Sequence, residues 1–483
     1  MKSRFRIWLA GCLKSASDRL NGKPIVVATN KEISSVDCTP ISNDPHSTSR
    51  FETEGDSAPL DKDQLNALRV VFWSFDQIFL IVGGAGSGKS RLVKEFSNRS
   101  GIVCCAPTGI AALRINGKTL HSMFHLPTTI QFPNLIQGLY GDRAEQIKNC
   151  DMIIIDEISM VRADVFDAVD KKLRMTLNSE APFGGKKIVL VGDMSQLPPV
   201  LGSNEQLAYF NNWEGKSICN SSVFDLIHPR IIELRGNHRQ ASDKYFSELL
   251  NSLRKGVCSN EILDQLNERI GPAMNKAVHV TLNNAKAESI NHLYYARLQT
   301  KEHSFPSLST PDQIDKFIEL CQKLPVPRVI KVKVGCRVII CANSDSYKNG
   351  DSGTISLVSG AYIRVKLDRT GMEVEVPRNT FTAFDYFLNP NTNEWEPMVA
   401  AEYVQFPILL GYAITVYKAQ GLTLHKVHIH NEGGFWDFGQ AYTAISRVRN
   451  LLDFSCEQPF LPSDFLLNPE IEGVYQDDSE IGF

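Results

Sequence analysis

Three short stretches of the chain carry residue types that a phosphate-handling site needs at fixed spacing. Gly83-Gly84-Ala85-Gly86-Ser87-Gly88-Lys89-Ser90 fits the pattern G-x-x-x-x-G-K-[ST]. Glycines at these places let backbone N–H groups turn inward around phosphate oxygens, and a helix starting there adds positive potential. In that geometry Lys89 reaches the β- and γ-phosphates and Ser90 holds Mg2+. The second stretch, Met152-Ile153-Ile154-Ile155-Asp156-Glu157, ends an apolar run in two carboxylates. Asp156 is placed to bind Mg2+ directly or through water, and Glu157 to polarise the attacking water. Taken alone, an Asp-Glu pair after a strand is an ordinary solvated strand end; the phosphate loop upstream makes it half of a site. The third stretch is Val191-Gly192-Asp193-Met194-Ser195-Gln196-Leu197-Pro198-Pro199. Gln196 is the candidate γ-phosphate sensor, since an amide reports phosphate without adding charge. Local chemistry by itself reads a turn stopped by two prolines.

These tips must be held by strands. Ile78-Phe79-Leu80-Ile81-Val82 runs straight into the glycine loop, and similar short apolar runs recur at Ile102–Ala106, Met152–Ile155, Lys187–Val191 and Ile231–Leu234. Helical segments lie between several of them, which indicates a parallel sheet covered on both faces. Upstream, Leu65, Leu68, Val71, Phe72 and Phe75 recur at helical spacing. From about Val329 the texture changes to alternating segments, Cys336–Cys341, Gly353–Leu357, Tyr362–Leu367 and Met372–Val376, separated by turn residues. That pattern is a small antiparallel β module. After Pro407 the α/β style returns, so the module is inserted within a second α/β domain.

Bulk properties bound the rest. At 483 residues the chain is long enough for several domains. Its net charge of -3 gives no hint of nucleic acid, so any binding surface must come from local placement of Lys and Arg. No apolar run nears the roughly 18 residues a membrane span needs, and no membrane partner is expected. The eleven cysteines include no C-x-x-C, and read as free, mostly buried thiols. Leu9-Ala10-Gly11-Cys12 resembles a lipoprotein cleavage box, but the apolar stretch before it is too short for a secretory signal. An organelle transit peptide is the other targeting option. Residues 28–58 are polar and aperiodic and read as a linker. His428-Ile429-His430 mimics a metal-binding histidine pair but lacks an obvious third ligand. Phe435, Trp436, Phe438 and Tyr442 could stack on bases; their helical spacing favours core.

Taken together, the motifs resemble the PIF-type helicases of superfamily 1B, close to the bacterial branch. The likeness runs from Gln64 to about Leu452. It rests on GGAGSGKS (83–90), CAPTGIAALRINGKTLHSMF (105–124), IIIDEIS (153–159), KIVLVGDMSQLPPV (187–200), ELRGNHRQ (233–240), PILLGYAITVYKAQGLTL (407–424) and GQAYTAISRVRNL (439–451), all in family order.

The resemblance implies an α/β fold of two RecA-like P-loop domains with parallel sheets, a small wedge insertion and an inserted SH3-like β module. The expected divisions are an N-terminal extension 1–58, a first domain 59–220 with the wedge at about 125–150, a second domain in two parts, 221–330 and 404–460, the β module 331–403, and a tail 461–483. It implies that Gln64 contacts adenine and that Arg239 and Arg447 reach the γ-phosphate from the second domain. A fork of donors there stabilises transition-state charge and couples hydrolysis to cleft closure. Thr108, Thr119 and His121 in the first domain, with Thr415, Lys418 and Gln420 in the second, resemble the loops that hold the single strand. Tyr417 stands where the family usually has His. The implied activity is ATP- and Mg2+-dependent unwinding, 5′ to 3′, on single-stranded and tailed or forked DNA, by a monomer serving repair, recombination or replication and telomere maintenance. A single-strand-stimulated ATPase without unwinding is the alternative. The expected location is cytoplasmic and nucleoid-associated in a bacterium, nuclear or mitochondrial in a eukaryote.

Overall fold

The computed structural model describes residues 59–474, apart from 128, 203–204, 322–323, 348 and 389–394. Residues 1–60 separate from the compact unit Asp61–Phe483, and the lobes below lie within the latter. The targeting and linker readings of residues 1–58 fall outside the described residues.

The first lobe is built on six strands, β1 (Ile78–Gly83), β2 (Ile102–Ala106), β3 (Lys118–Thr119), β4 (Met152–Ile155), β5 (Lys187–Gly192) and β6 (Arg230–Leu234). Their order is β3-β2-β4-β5-β1-β6, and every pairing is parallel. All six residues of β1 and all four of β4 are buried, as strands covered on both faces require. The placement of β6 corrects the expected boundary at residue 220. Phe79 to Gly83 pair with Arg230 to Leu234, so the first sheet runs on to Leu234. The chain joins the second lobe's core only at helix Lys244–Arg254, through Phe246, Leu249, Leu250 and Leu253. Helix Lys62–Trp73 buries Ala67, Leu68 and Val71, but it ends before Phe75, which is fully exposed, and Leu65 is 41% exposed. In the expected wedge segment, Leu126, Ile136, Leu139, Ala144 and Ile147 join the first-lobe core, while Ile130 packs in a small separate cluster with Ala163, Tyr209 and Trp213.

The second lobe has four parallel strands in the order β17-β7-β18-β19, namely β17 (Ala413–Thr415), β7 (Val278–Thr281), β18 (Val427–His430) and β19 (Phe454–Cys456). Between β7 and β17 lies the antiparallel module. Its sheet has the order β13-β12-β11-β10-β16, from β10 (Arg337–Ile340), β11 (Ser352–Val358), β12 (Tyr362–Leu367), β13 (Glu373–Pro377) and β16 (Ile408–Leu410). Pairing of Val338 with Leu410 carries the module past its expected end at 403. Two separate two-stranded antiparallel sheets share its core, β8 (Glu302–Pro306) with β9 (Val329–Lys333) and β14 (Asn379–Leu388) with β15 (Trp395–Gln405). Helix Pro311–Cys321 packs on the same core through Ile314, Phe317 and Leu320.

Within the expected tail, residues 461–474 form a strap. Phe465 enters the second-lobe core, while Ile471 enters the first. The Glu470 carboxylate accepts from the Ser217 N–H at 2.6 Å, the Lys216 N–H at 3.2 Å and Asn220 Nδ2 at 2.9 Å.

Candidate active site between the two lobes

The glycine loop folds as its composition dictates. Gly86 and Gly88 sit at φ 88° and 85°, where a side chain would be strained, and helix Lys89–Ser97 begins immediately after. Lys89 Nζ donates to Gly83 O at 2.7 Å and to Gly84 O at 2.9 Å. Burial lowers the Lys89 pKa, against the opposing pull of Asp193 and Glu157. Ser90, at the first turn, is exposed. Gln64 is buried, its oxygen accepts from Asp61 N in a capping box, and its Nε2 donates to Gly88 O at 3.1 Å. It therefore braces the loop, with both ends of its amide engaged within the chain.

Asp156 and Glu157 follow β4. Asp156 is buried and pushed up to about 7, by burial first and then by Glu157 beside it. Glu157 takes left-handed backbone angles, φ 50° and ψ 45°, uncommon for a non-glycine residue. Its Oε2 accepts from Gln420 Nε2 at 3.2 Å. Gln420 thus reaches across from the second lobe to the expected catalytic base, where the sequence reading placed it on the strand.

At the tip of β5, Gln196 Nε2 donates to Asp193 Oδ2 at 2.9 Å. Burial alone would raise Asp193, but Arg254, Lys89 and hydrogen bonds from Gln196 and Tyr442 outweigh it and hold the carboxyl below its ordinary value. Two of these partners come from the second lobe. Tyr442 donates to Asp193 Oδ2 at 3.0 Å and accepts from the Ala85 N–H of the phosphate loop at 3.2 Å. Arg254 joins Asp193, at 3.3 Å, to Glu233, at 3.0 Å. The spacing of Tyr442 suggested core. It is core, but its hydroxyl belongs to the site.

Arg239 lies against the loop: a Cβ on Gly86 would stand 2.6 Å from Arg239 Cβ, and His238 N donates to Gly86 O at 2.8 Å. Arg447 is fully buried, with Nε on Thr443 O at 2.8 Å and Nη2 on Ser446 Oγ at 2.7 Å. Arg239 Nη1 donates to Ser446 O at 2.9 Å, so both guanidinium groups share one backbone turn. Burial, and then the repulsion of Arg447, push Arg239 down to about 9; burial pushes Arg447 down to about 10. A further arginine escaped the sequence reading. Arg114, at the end of helix Gly109–Arg114, packs against Gly421, whose φ is 73°. Its charge acts on Asp156, Arg239 and Arg447.

The residues expected on the strand divide. Thr108 is partly exposed, with Oγ1 accepting from Ala111 N at 3.3 Å, and Lys418 is exposed. His121 is partly buried, which lowers its pKa. Thr119 and Thr415 are 0% and 4% exposed. Thr119 Oγ1 accepts from Ser122 N and donates to Leu320 O, and Thr415 Oγ1 accepts from Lys418 N. Both hydroxyls cap short helices. Trp436 and Phe438 are 63% and 38% exposed, which removes them from the core, and Trp436 lies 6.3 Å from Tyr417, ring to ring.

A phosphate loop in one lobe, faced by buried Arg447 from the other and by Arg239 from the segment that joins the two, defines an ATP-hydrolysing P-loop enzyme with two RecA-like lobes. Residues 60–263 match the PIF1-like helicase family. The chain is 29% identical over 409 residues to the ATP-dependent DNA helicase Pif1 of Bdellovibrio bacteriovorus, covering 81% of this chain and 86% of that one. Against rodent PIF1 helicases it spans about three-fifths of their length. Bacteroides Pif1 bound to single-stranded DNA superposes with TM-score 0.59 at 30% identity, over 85% of this chain and 95% of that one. Bacteroides Pif1 with ADP-AlF4 superposes with TM-score 0.77 at 29% identity, over 86% and 96%. The chain belongs to the PIF1-like helicase family.

Proposed function

We propose that the chain uses ATP hydrolysis to move 5′ to 3′ along single-stranded DNA and to unwind duplexes bearing a 5′ tail. What supports the ATP site is its unbalanced charge. Lys89, Arg239 and Arg447 come from three separate segments, and burial depresses all three. A triphosphate between them supplies the missing negative charge, and the two arginines then meet charge that develops in the transition state. Gln196 is the candidate sensor of the γ-phosphate, and Gln64 the candidate adenine contact once its amide is released from Asp61 and Gly88.

Ser90 and Asp156 would hold Mg2+. The fit is supported by Asp156, a buried carboxyl next to a second carboxylate, an oxygen-donor pair of the kind Mg2+ takes. When bound, the ion neutralises phosphate charge. Glu157 orients the attacking water, and Gln420 fixes Glu157 from the lobe that also carries Lys418. For the strand, the candidates are Thr108 and His121 in the first lobe and Lys418, Tyr417 and Trp436 in the second. The module built on β10 to β13 stands where the family carries its SH3-like domain, and a monomer on tailed or forked DNA is the acting form we favour.

The direction follows from likeness to the family. Unwinding of two substrates with equal single-stranded tails, one 5′ and one 3′, tests it: ATP-dependent separation of the 5′-tailed duplex alone is expected. Preference for the 3′ tail would refute the direction. Strand-stimulated ATPase with neither duplex opened would leave the alternative of a translocase without unwinding.

A further inference from the structure

We propose that His279, His428 and His430 form a binding site for one zinc-type divalent transition metal in the second lobe, separate from the nucleotide site. Among the described residues, these three have ligand atoms that all lie within 4.8 Å of one another. The third ligand that the pair on β18 lacks in sequence comes from β7. His428 pairs in register with His279 on the neighbouring parallel strand, and His430, two residues on, projects from the same face.

The surroundings are those a first-row metal uses. His279 and His428 are 9% and 4% exposed, and the His430 side chain is 9% exposed. His428 Nδ1 lies 2.9 Å from Ser455 Oγ on β19, which leaves Nε2 toward the cluster. His430 Nδ1 lies 2.7 Å from Glu457 Oε1, which turns its Nε2 toward His279. A carboxylate behind a ligating imidazole fixes the ring and raises its basicity. Neither His430 Nδ1 nor Glu457 Oε2, both buried, has a well-formed hydrogen bond.

As the side chains stand, His279 Nδ1 and His430 Nε2 share a hydrogen bond of 2.7 Å. Two nitrogens on a tetrahedral zinc stand about 3.3 Å apart, so coordination shifts that proton to the other nitrogen of its own ring and parts the two nitrogens by roughly half an ångström. Three imidazoles leave a fourth position for water. Nitrogen ligands select zinc, cobalt, nickel or copper over Mg2+, which takes oxygen. The ion would pin β7 to β18, and through Ser455 and Glu457 to β19.

The test uses the full chain, stripped with chelator and titrated with Zn2+ and then Co2+ in excess Mg2+ without nucleotide. Metal content, the cobalt spectrum and Tm are read. A single equivalent, a tetrahedral cobalt spectrum without thiolate charge transfer, and a rise in Tm are expected. The His279→Asn/His430→Asn double variant, checked for folding by circular dichroism, should lose that equivalent. Glu457→Gln should weaken binding ~10- to 100-fold, as loss of an outer-shell partner does. Stripped wild-type chain that takes up neither metal would overturn the proposal without recourse to any variant. So would zinc bound equally well by the folded double variant, since the ion would then sit elsewhere.

Discussion

Replacing Gln420 separates two roles that one motif residue could play. In this structure Gln420 Nε2 donates to Glu157 Oε2 at 3.2 Å, and Gln420 is 8% exposed. A hydrogen bond to a charged group contributes about 1.5–3 kcal/mol. If Gln420→Ala removes that much only from the transition state, kcat falls by roughly 10- to 150-fold. The carboxylate is not the group that binds ATP, so the KM for ATP and the Kd for single-stranded DNA should change by less than about threefold, a shift worth under 1 kcal/mol. Gln420→Glu places a carboxylate against Glu157 and should be slower still at neutral pH. Steady-state ATPase with saturating strand, alongside strand binding by anisotropy, reads both quantities. A Gln420→Ala chain with unchanged kcat at saturating strand but a much weakened strand Kd would return Gln420 to the DNA and refute its link to the base.

Arg239→Ala and Arg447→Ala should each lower kcat by ~10³ or more if they act as arginine fingers, with ATP binding reduced less than turnover; unchanged kcat in both would remove the cleft as the active site. Asp156, raised to about 7 from 3.8, should make the nucleotide-free protein lose stability as pH rises from about 4 to 7, since the folded state holds that proton more tightly. Asp156→Asn should flatten that part of a Tm-against-pH curve and lie above wild type at pH 8, and a parallel curve would show that Asp156 is not the group. Trp436→Ala should weaken single-strand binding by about 1–3 kcal/mol, as loss of one stacking platform does, while leaving strand-free ATPase intact; unchanged binding would leave Trp436 off the strand path.

The phosphate loop was legible because its chemistry constrains contiguous residues: glycines at positive φ, then a lysine and a hydroxyl at the first helical turn. The strands behind it were legible because burial on both faces demands unbroken apolar runs. What escaped the reading depends on partners far along the chain. The residues of β6 look the same whether they pair with the first sheet or the second. Tyr442 carries a core spacing, and only the fold brings its hydroxyl to Asp193. Thr119 and Thr415 show a different obstacle. A threonine between a strand and a helix is a good phosphate contact and also a good N-cap, and both uses ask for the same residue at the same place. Burial decides for the cap. His279 lies 149 residues before His428, and nothing in its own neighbourhood marks it as a partner.

The two capping threonines also bear on how the strand gains access. Each ends a short parallel strand and starts a four-residue helix, Leu120–Met123 in the first lobe and Val416–Ala419 in the second. Thr119 is further held by Leu320 O, from the helix that packs on the inserted module. The same helix closes over Gly109, where an added Cβ would collide with Cys321 O. Helix Pro311–Cys321 therefore covers the edge of the first lobe between Gly109 and Thr119, which is where the proposed strand path runs past Thr108 and His121. The likeness to Bacteroides Pif1 fits this arrangement. TM-score is 0.77 against the ADP-AlF4 form and 0.59 against the DNA-bound form, at 29% and 30% identity. Sequence distance is the same in both comparisons, so the gap reflects how the parts are arranged. On the proposed path, the module's helix and the strand would compete for one face of the first lobe. On the proposed path, binding the strand means exchanging the Thr119–Leu320 bond and the packing at Gly109 for phosphate contacts, and the energy released on gripping DNA is reduced by what that helix gives up.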